Sequence, residues 1–576
     1  MRDPGPIARW MPGLARLRSP APGDLRADLV AGLAVTSLLI PHGMAYAELA
    51  GVPAVTGLYT TVLALVAYAV FGPSRLLMLG PDSSLAPLIA AAIVLVGADG
   101  DPGQAVATAG MLALLTGAVC LAAGVVRLGT LAELLSRPVR VGYLNGLAIV
   151  MIVSQLPKIL GFPTDGTTTL EVAREVIEGV ADGATDATTL VVGIGGLAAI
   201  VALHLRSPRA PGVLVAVAVA TLAVALFDLD IAIIGDVPSG FPRPDWPGIE
   251  AGDVMLLVGS AIGIALLTLS DTTALSRGFA SRHGRPVDPN REIAALGLAN
   301  LSVGLFQGFP VSASTTRTSV AEATGGRSQL VGVIGAGFVF MLVTVGSGLV
   351  HDVPSAALAA VVIAAGVRLF DIASWRWLLA ARRSEFVLSL AATVGVVFIG
   401  VLEGILVATV LSLGVFIRRV WRPHDAVLGR IDGRKGYHDM VRHPDARQIP
   451  GLLLFRFDAP LFFANADHFA RRIRREVAAA ADPVRRVVVA AEPISDIDTT
   501  GAEVLAQLLD ELDHANISLA FAELKGPVKD RMQRYGLYER VGPRAFHSTL
   551  GRAIDAYVRD SGVEWLDWED QAGPPG

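Results

Sequence analysis

Between two strongly apolar stretches lies Gly308 to Gly326, GFPVSASTTRTSVAEATGG, dense in hydroxyl side chains and carrying Arg317 and Glu322. A whole membrane-spanning helix is not normally written this way. The stretch reads as a broken helix: an extended lead-in through Phe309 and Pro310, then a half-helix opening near Ser312, Ala313 and Ser314. Pro310 lacks an N–H and pushes its predecessor out of the α region. Serine is a good helix cap. A half-helix that starts inside a membrane aims unpaired N–H groups and a positive dipole end into a cavity. That arrangement suits a small anion. Arg317, one turn in, adds a full positive charge. The plain alternative is a polar surface loop with Arg317 in water, because intramembrane charge is rare.

The same grammar occurs once more, at Gly72 to Ser84. A short β-like run reaches the Gly80-Pro81 break, then Asp82, Ser83 and Ser84 as caps, then an apolar half-helix from Leu85. Two interrupted segments at matching positions in two halves point to a transport site. Asp82 would repel an anion, so its expected role is to cap the half-helix rather than to bind directly. Pro41-His42-Gly43 should bend the first span, and a bent helix can line a cavity. His42 is either a group facing that cavity or a neutral histidine satisfied in the packing. Tyr46, one turn on, either closes the pocket or is a packed aromatic. Asp271, inside LTLSDTT, is an intramembrane carboxylate and hence a functional candidate. Its structural alternative is a pair with Arg317.

The elements that must hold these residues are legible from composition. The chain has 576 residues, 53% of them hydrophobic and only 17% charged, with mean hydropathy +0.56. A soluble globule averages about 25% charged. Apolar runs recur from Leu29 to about Val420 and then stop. Several reach the ~20 residues a bilayer span needs. We expect spans near 28–49, 55–71, 104–123, 138–157, 187–205, 211–227, 254–276, 292–306, 328–349, 354–369, 384–399 and 402–420. With half-helices near 83–97 and 312–324 these make fourteen segments. The single cysteine, Cys120, excludes a disulfide framework or a thiol metal cluster, and no phosphate-binding loop suggests ATP driving. No cofactor or metal is expected, and nothing suggests nucleic acid.

Residues 1–25 read as a basic cytoplasmic lead with Arg2, Arg9, Arg16 and Arg18 and no cleaved signal peptide. With that end inside, the cytoplasmic loops carry Arg75, Arg127, Arg137, Arg140, Arg206, Arg209, Arg277, Arg282, Arg285, Arg291, Arg327, Arg376, Arg382 and Arg383. The outer loops carry Asp99, Asp101, Asp165, Glu171, Glu175, Glu178, Asp182, Asp228, Asp230, Asp236, Asp245 and Asp253, opposed by Lys158, Arg174 and Arg243. This is the positive-inside asymmetry. It puts the C-terminal part in the cytoplasm. After a linker at 423–448 the pattern changes to strands near 452–457, 486–490 and 517–522, alternating with helices near 467–480, 501–514 and 528–535. That is a small α/β domain over 449–560, followed by a tail to 576.

The stretch Pro53-Ala-Val-Thr-Gly57-Leu58-Tyr59, continuing through Phe71-Gly72-Pro73-Ser74-Arg75 to Gly80-Pro81, resembles the sulfate permease (SulP) family. So does Phe306-Gln307-Gly308-Phe309-Pro310 through Arg317 to Thr324-Gly325-Gly326. Phe455 to Ala466, with Asp496-Ile-Asp498-Thr499-Thr500-Gly501, resembles that family's STAS domain. The resemblance covers about 25–560. It implies two inverted seven-segment repeats, about 26–230 and 250–422, divided into core and gate domains. It also implies a cytoplasmic STAS domain and a homodimer in the plasma membrane, in contact with lipid. The anion would sit between the starts of segments 3 and 10, at Asp82–Leu85 and Ser312–Ser314, with Arg317 alongside. Some relatives carry Gln where His42 stands. Family members often place an acid at Asp271, tied to cation coupling. A sodium-coupled relative has a hydroxyl one turn later where this chain has Leu275, which favours protons over sodium. Thr499 and Thr500 match a hydroxyl pair that related STAS proteins phosphorylate; a helix-capping run after Asp498 is the preferred reading.

These readings converge on a secondary active anion transporter, not an enzyme, with sulfate leading and bicarbonate or C4-dicarboxylates as alternatives. An anion channel or a STAS-linked anion sensor is the rival of another class.

Overall fold

The computed structural model describes residues 11–17, 24–98, 100–127, 136–207, 211–235, 238, 240–282, 284, 287–565 and 567. Arg2, Arg9, Arg18, Asp99, Arg209, Asp236, Arg285 and most of the expected C-terminal tail lie outside them. The chain forms two compact units, one up to Ser412 and one from Leu413, so the division falls within the last apolar helix.

The described residues form fourteen apolar segments in order, the last of them crossing the division between the units. Segments 1 and 2 are Asp24–Leu49 and Ala54–Phe71. Segment 3 is the strand β1 (Leu79–Gly80) and the short helix Ala86–Leu95. Segments 4 to 7 are Pro102–Val125, Arg137–Leu160, Ala187–Arg206 and Gly212–Phe227. Segments 8 and 9 are Ala251–Arg282 and Pro289–Leu305. Segment 10 is β2 (Ser312–Ala313) and the short helix Thr315–Ala323. Segments 11 to 14 are Leu330–Val345, Ser355–Leu369, Arg383–Phe398 and Val401–Trp421.

Packing follows the two-repeat pattern. Segment 1 packs on segment 11 and segment 8 on segment 4, so each repeat's first helix meets the other's fourth. Segments 1–4 and 8–11 form one group; segments 5–7, 12 and 13 form another. Small residues permit the closest crossings. A Cβ on Gly57 would lie 1.8 Å from the Gly43 carbonyl oxygen where segments 1 and 2 meet. Two helices absent from the sequence reading, Thr169–Ala181 and Ile372–Ala381, occupy the same place in each repeat, between its fifth and sixth segments. The first is amphipathic and opens with a capping box, Thr168 with Glu171. The backbone N–H of Thr168 bonded to the Glu171 carboxylate holds that acid below its ordinary range.

The extended lead-ins of segments 3 and 10 lie inside this helical unit, where their backbone groups need partners. β1 and β2 pair antiparallel, Leu79 opposite Ala313 and Gly80 opposite Ser312. The Ser314 N–H extends the ladder to the Met78 carbonyl at 2.9 Å. Side chains supply the rest. Gln329 donates to the carbonyls of Ser74 and Leu77, and Thr318 Oγ1 accepts from Met78 N–H. Thr60 Oγ1 accepts from Phe309 N–H, while Asn300 accepts from Val311 N–H at 2.9 Å and donates to Val311 O at 3.2 Å. Glu292 of segment 9 accepts from the Tyr68 and Ser74 hydroxyls, fixing the start of segment 3's lead-in.

The second unit is an α/β domain with a six-stranded sheet in the order β4-β3-β5-β6-β7-β8. β3 (Asp425–Arg430) and β4 (Tyr437–Asp439) form an antiparallel hairpin within the stretch read as a linker. β5 (Leu452–Phe457), β6 (Arg486–Ala490), β7 (Ser518–Ala522) and β8 (Phe546–His547) run parallel. Val487, Val488 and Val489 are all buried, as a parallel strand covered on both faces requires. One face packs on the helices Ala466–Ala479 and Thr499–His514, the other on Leu550–Ser561.

Because Asn300 completes a strand-like backbone that is fully buried, its loss is costly. We expect Asn300→Ala to destabilise the protein by about 1–3 kcal/mol through the orphaned Val311 N–H. The purified variant should then show a lower apparent thermal midpoint in detergent. An unchanged midpoint would remove Asn300 from this role.

Candidate anion-binding site

The segment 10 helix begins at Thr315. Ser314 is its cap, with extended backbone and its Oγ accepting from the Arg317 N–H at 3.4 Å. The first N–H groups of such a helix have no partners within it. Thr315 and Thr316, in that first turn, are exposed to the space in front of it. Segment 3 starts through a turn at Ser83–Leu85. Asp82 Oδ1 accepts from the Ser84 N–H at 3.0 Å and from the Ser84 hydroxyl at 2.7 Å, and its carbonyl accepts from Leu85 and Ala86 N–H. The carboxylate is therefore engaged in holding the turn.

Both starts open on one cavity of about 430 Å³. His42, Tyr46, Asp82, Ser83, Ser84, Asp271, Ala313, Ser314 and Arg317 all line it. Ser312 does not: it is buried in β2, its hydroxyl without a hydrogen-bond partner. Strand alternation explains this, since Ser312 and Ala313 point to opposite faces.

Arg317 is 3% exposed. Its Nη2 donates to the Pro81 carbonyl at 2.7 Å, across from segment 10 to segment 3. Its Nε and Nη1 have no hydrogen-bond partner. Gly80 makes room for it, because a Cβ there would lie 2.9 Å from Nη1. A buried guanidinium with two unsatisfied donors is costly unless something accepts from them. No ion pair joins Arg317 to Asp271 among the described residues, so the alternative of an Asp271–Arg317 pair is not what the structure shows.

Asp271 shares one face of segment 8 with Ala274, Leu275, Gly278 and Arg282, all of which line the cavity. Thr272 and Thr273 are buried away from it, so one turn beyond the acid the cavity wall is Leu275, whose side chain has no oxygen to offer a cation. His42 lies in segment 1, which stays helical through Pro41. Its Nδ1 is 2.8 Å from the Leu38 carbonyl. A carbonyl only accepts, so Nδ1 carries the proton, and a neutral His42 keeps an acceptor rather than a donor at Nε2. The Tyr46 ring lies 5.4 Å from the His42 ring, tilted by 56° to it.

The sequence reading missed part of the wall. Arg140 and Leu144 of segment 5, Arg282 of segment 8 and Leu369 of segment 12 also line the cavity. The positive-inside pattern places Arg140 and Arg282 in loops, but both line the cavity. The i, i+4 spacing of Arg140 and Leu144 was the available signal.

In the second unit, Thr499 and Thr500 are exposed in the first turn of the helix Thr499–His514. Asp498 caps that helix, accepting from Gly501 N–H at 2.7 Å and from Phe463 N–H at 2.9 Å.

Residues 25–392 match the sulfate permease family and residues 443–553 the STAS domain. A probable sulfate transporter of Mycobacterium tuberculosis is 41% identical over 560 residues, covering 96% of this chain and 99% of that protein. Human solute carrier family 26 member 6 is 30% identical over 503 residues, covering 82% of this chain and 64% of its own. The solved structure of murine solute carrier 26 family member A9, an anion transporter in the inward-facing state, superposes with TM-score 0.88 at 20% identity, over 96% of this chain and 94% of that one. The transmembrane domain of a cyanobacterial bicarbonate transporter superposes with TM-score 0.59 at 22% identity, over 69% of this chain and 99% of that one. With its fourteen segments, the antiparallel meeting of segments 3 and 10, and a STAS domain later in the sequence, this chain belongs to the sulfate permease family of transporters.

Proposed function

We propose that the protein moves a small oxyanion, sulfate first, across the plasma membrane by secondary active transport coupled to protons. The observation that carries this reading is the buried Arg317 with two unpartnered donors on a cavity between two helix starts. The names of the 41% identical relatives favour sulfate over bicarbonate and C4-dicarboxylates. The ligands proposed are the first-turn N–H groups of segment 10, the hydroxyls of Ser83 and Ser314, and Arg317, with Tyr46 and His42 bordering the pocket. Asp82 and Ser84 hold the turn of segment 3. Asp271 is the proposed proton carrier, because it is a carboxyl on the same wall with no salt-bridge partner among the described residues. A homodimer surrounded by lipid, with the N-terminus and STAS domain in the cytoplasm, completes the proposal.

Charge-assisted hydrogen bonds contribute roughly 1.5–3 kcal/mol each. Arg317→Ala should therefore weaken sulfate affinity about tenfold or more while leaving the protein folded. Counterflow in proteoliposomes with sulfate, bicarbonate, fumarate and chloride measures this and ranks the substrates. Unchanged kinetics in well-folded mutant would exclude the site.

Protonating Asp271 removes a negative charge beside the anion, so proton and anion binding favour each other. Uptake should then rise as external pH falls. Asp271→Asn should still exchange anion at equal pH but lose accumulation driven by a pH gradient. Wild-type uptake indifferent to the gradient, or a mutant that still accumulates sulfate, would remove Asp271 from coupling.

A further inference from the structure

We propose that Arg140 sets the charge class of the substrate, selecting dianions over monoanions. The inference rests on the reading of the cavity as the transport site. Arg140 lies one turn into segment 5, half-buried on the wall of the cavity that holds Arg317. The two cations come from different packing groups, segment 5 in one and segment 10 in the other. Among the described residues the Arg140 side chain makes no hydrogen bond or ion pair. Arg282, the third cation on the wall, differs: it faces Glu322 at 3.9 Å and is more than half exposed.

The charges facing this space can be balanced. Arg140 and Arg317 stand against Asp82 and Asp271, so the wall is formally neutral apart from the Arg282–Glu322 pair. A proton on Asp271 leaves one net positive charge. A dianion entering then gives a total of minus one with Arg140 present and minus two without it. A monoanion gives zero with Arg140 and minus one without it. Coulomb energy is linear in the ligand's charge. Whatever factor a monoanion loses when Arg140 is neutralised, a dianion of similar size and position loses squared. Arg317, which binds through directional hydrogen bonds in contact with the ligand, should affect both classes.

The test uses the full-length protein in detergent at fixed ionic strength, titrated with sulfate and with nitrate. If Arg140→Gln weakens nitrate about threefold, it should weaken sulfate about tenfold. Arg140→Lys, which keeps the charge, should retain the wild-type ratio of the two affinities. Equal losses for both anions, no loss for either, or an Arg140→Lys variant that behaves like Arg140→Gln would overturn the proposal. Arg317→Ala in the same titrations separates the two readings. If it weakens both anions while Arg140→Gln leaves their ratio unchanged, the selectivity inference fails alone. If it leaves both affinities intact, the cavity is not the site and the underlying reading fails with it. Monodisperse elution of each variant, together with the lysine rescue, distinguishes selectivity from misfolding.

Discussion

A backbone that leaves the helical state inside a membrane must find partners for its N–H and C=O groups within the protein. In this chain that requirement arises twice, at the lead-ins of segments 3 and 10, and it shapes everything nearby. The two lead-ins partly satisfy each other through the β1–β2 pair. The remainder falls to polar side chains on otherwise apolar helices: Thr60, Thr268, Asn300, Thr318 and Gln329. These residues are buried, and their presence would be destabilising without that work. The cavity lies where the pairing ends, where the chain turns back into helix and the first N–H groups are left over.

The same pairing explains why Arg317 can be where it is. Its guanidinium bridges the two starts by donating to the Pro81 carbonyl, and Gly80 leaves it the space. One donor group is engaged in architecture; Nε and Nη1 are left without a hydrogen-bond partner. Asp82 shows the complementary solution. Its carboxylate lines the same cavity with one oxygen occupied by the turn of Ser84.

Much of this was legible in the sequence, and the parts that were not share a cause. Apolar runs, Gly-Pro breaks and serine caps are local signals, so the order of segments and the two interruptions could be read directly. Which side of a helix end faces a cavity is not local. Arg140 reads as a loop charge because it stands four residues into a segment whose lining role depends on the helices around it. Ser312 and Ser314 look alike as caps, but Ser312 lies in the two-residue strand with its side chain buried, whereas Ser314 is the helix cap that lines the cavity. The helices Thr169–Ala181 and Ile372–Ala381 lie in stretches too polar or too short to register as spans. The β3–β4 hairpin was hidden for a similar reason, since its strands carry charges and are satisfied chiefly by ladder bonds. In the second unit the near-continuous apolar strands β5, β6 and β7 were plain because burial on both faces leaves no room for polar residues.

The pairing of segments 3 and 10 also constrains how the protein is made. Met78 finds its acceptor in Thr318, 240 residues further along the chain, and Pro81 finds its donor in Arg317, 236 residues along. At about 5–20 residues per second, a ribosome reaches that partner roughly 12–50 s after the first strand has emerged. During that interval segment 3 has no complete set of backbone partners. It must remain in water, in the insertion machinery, or in a provisional helix that later unwinds. Biogenesis of the first repeat is thus finished only by synthesis of the second, and a ribosome stalled between them leaves a nascent chain with an exposed strand edge at its centre.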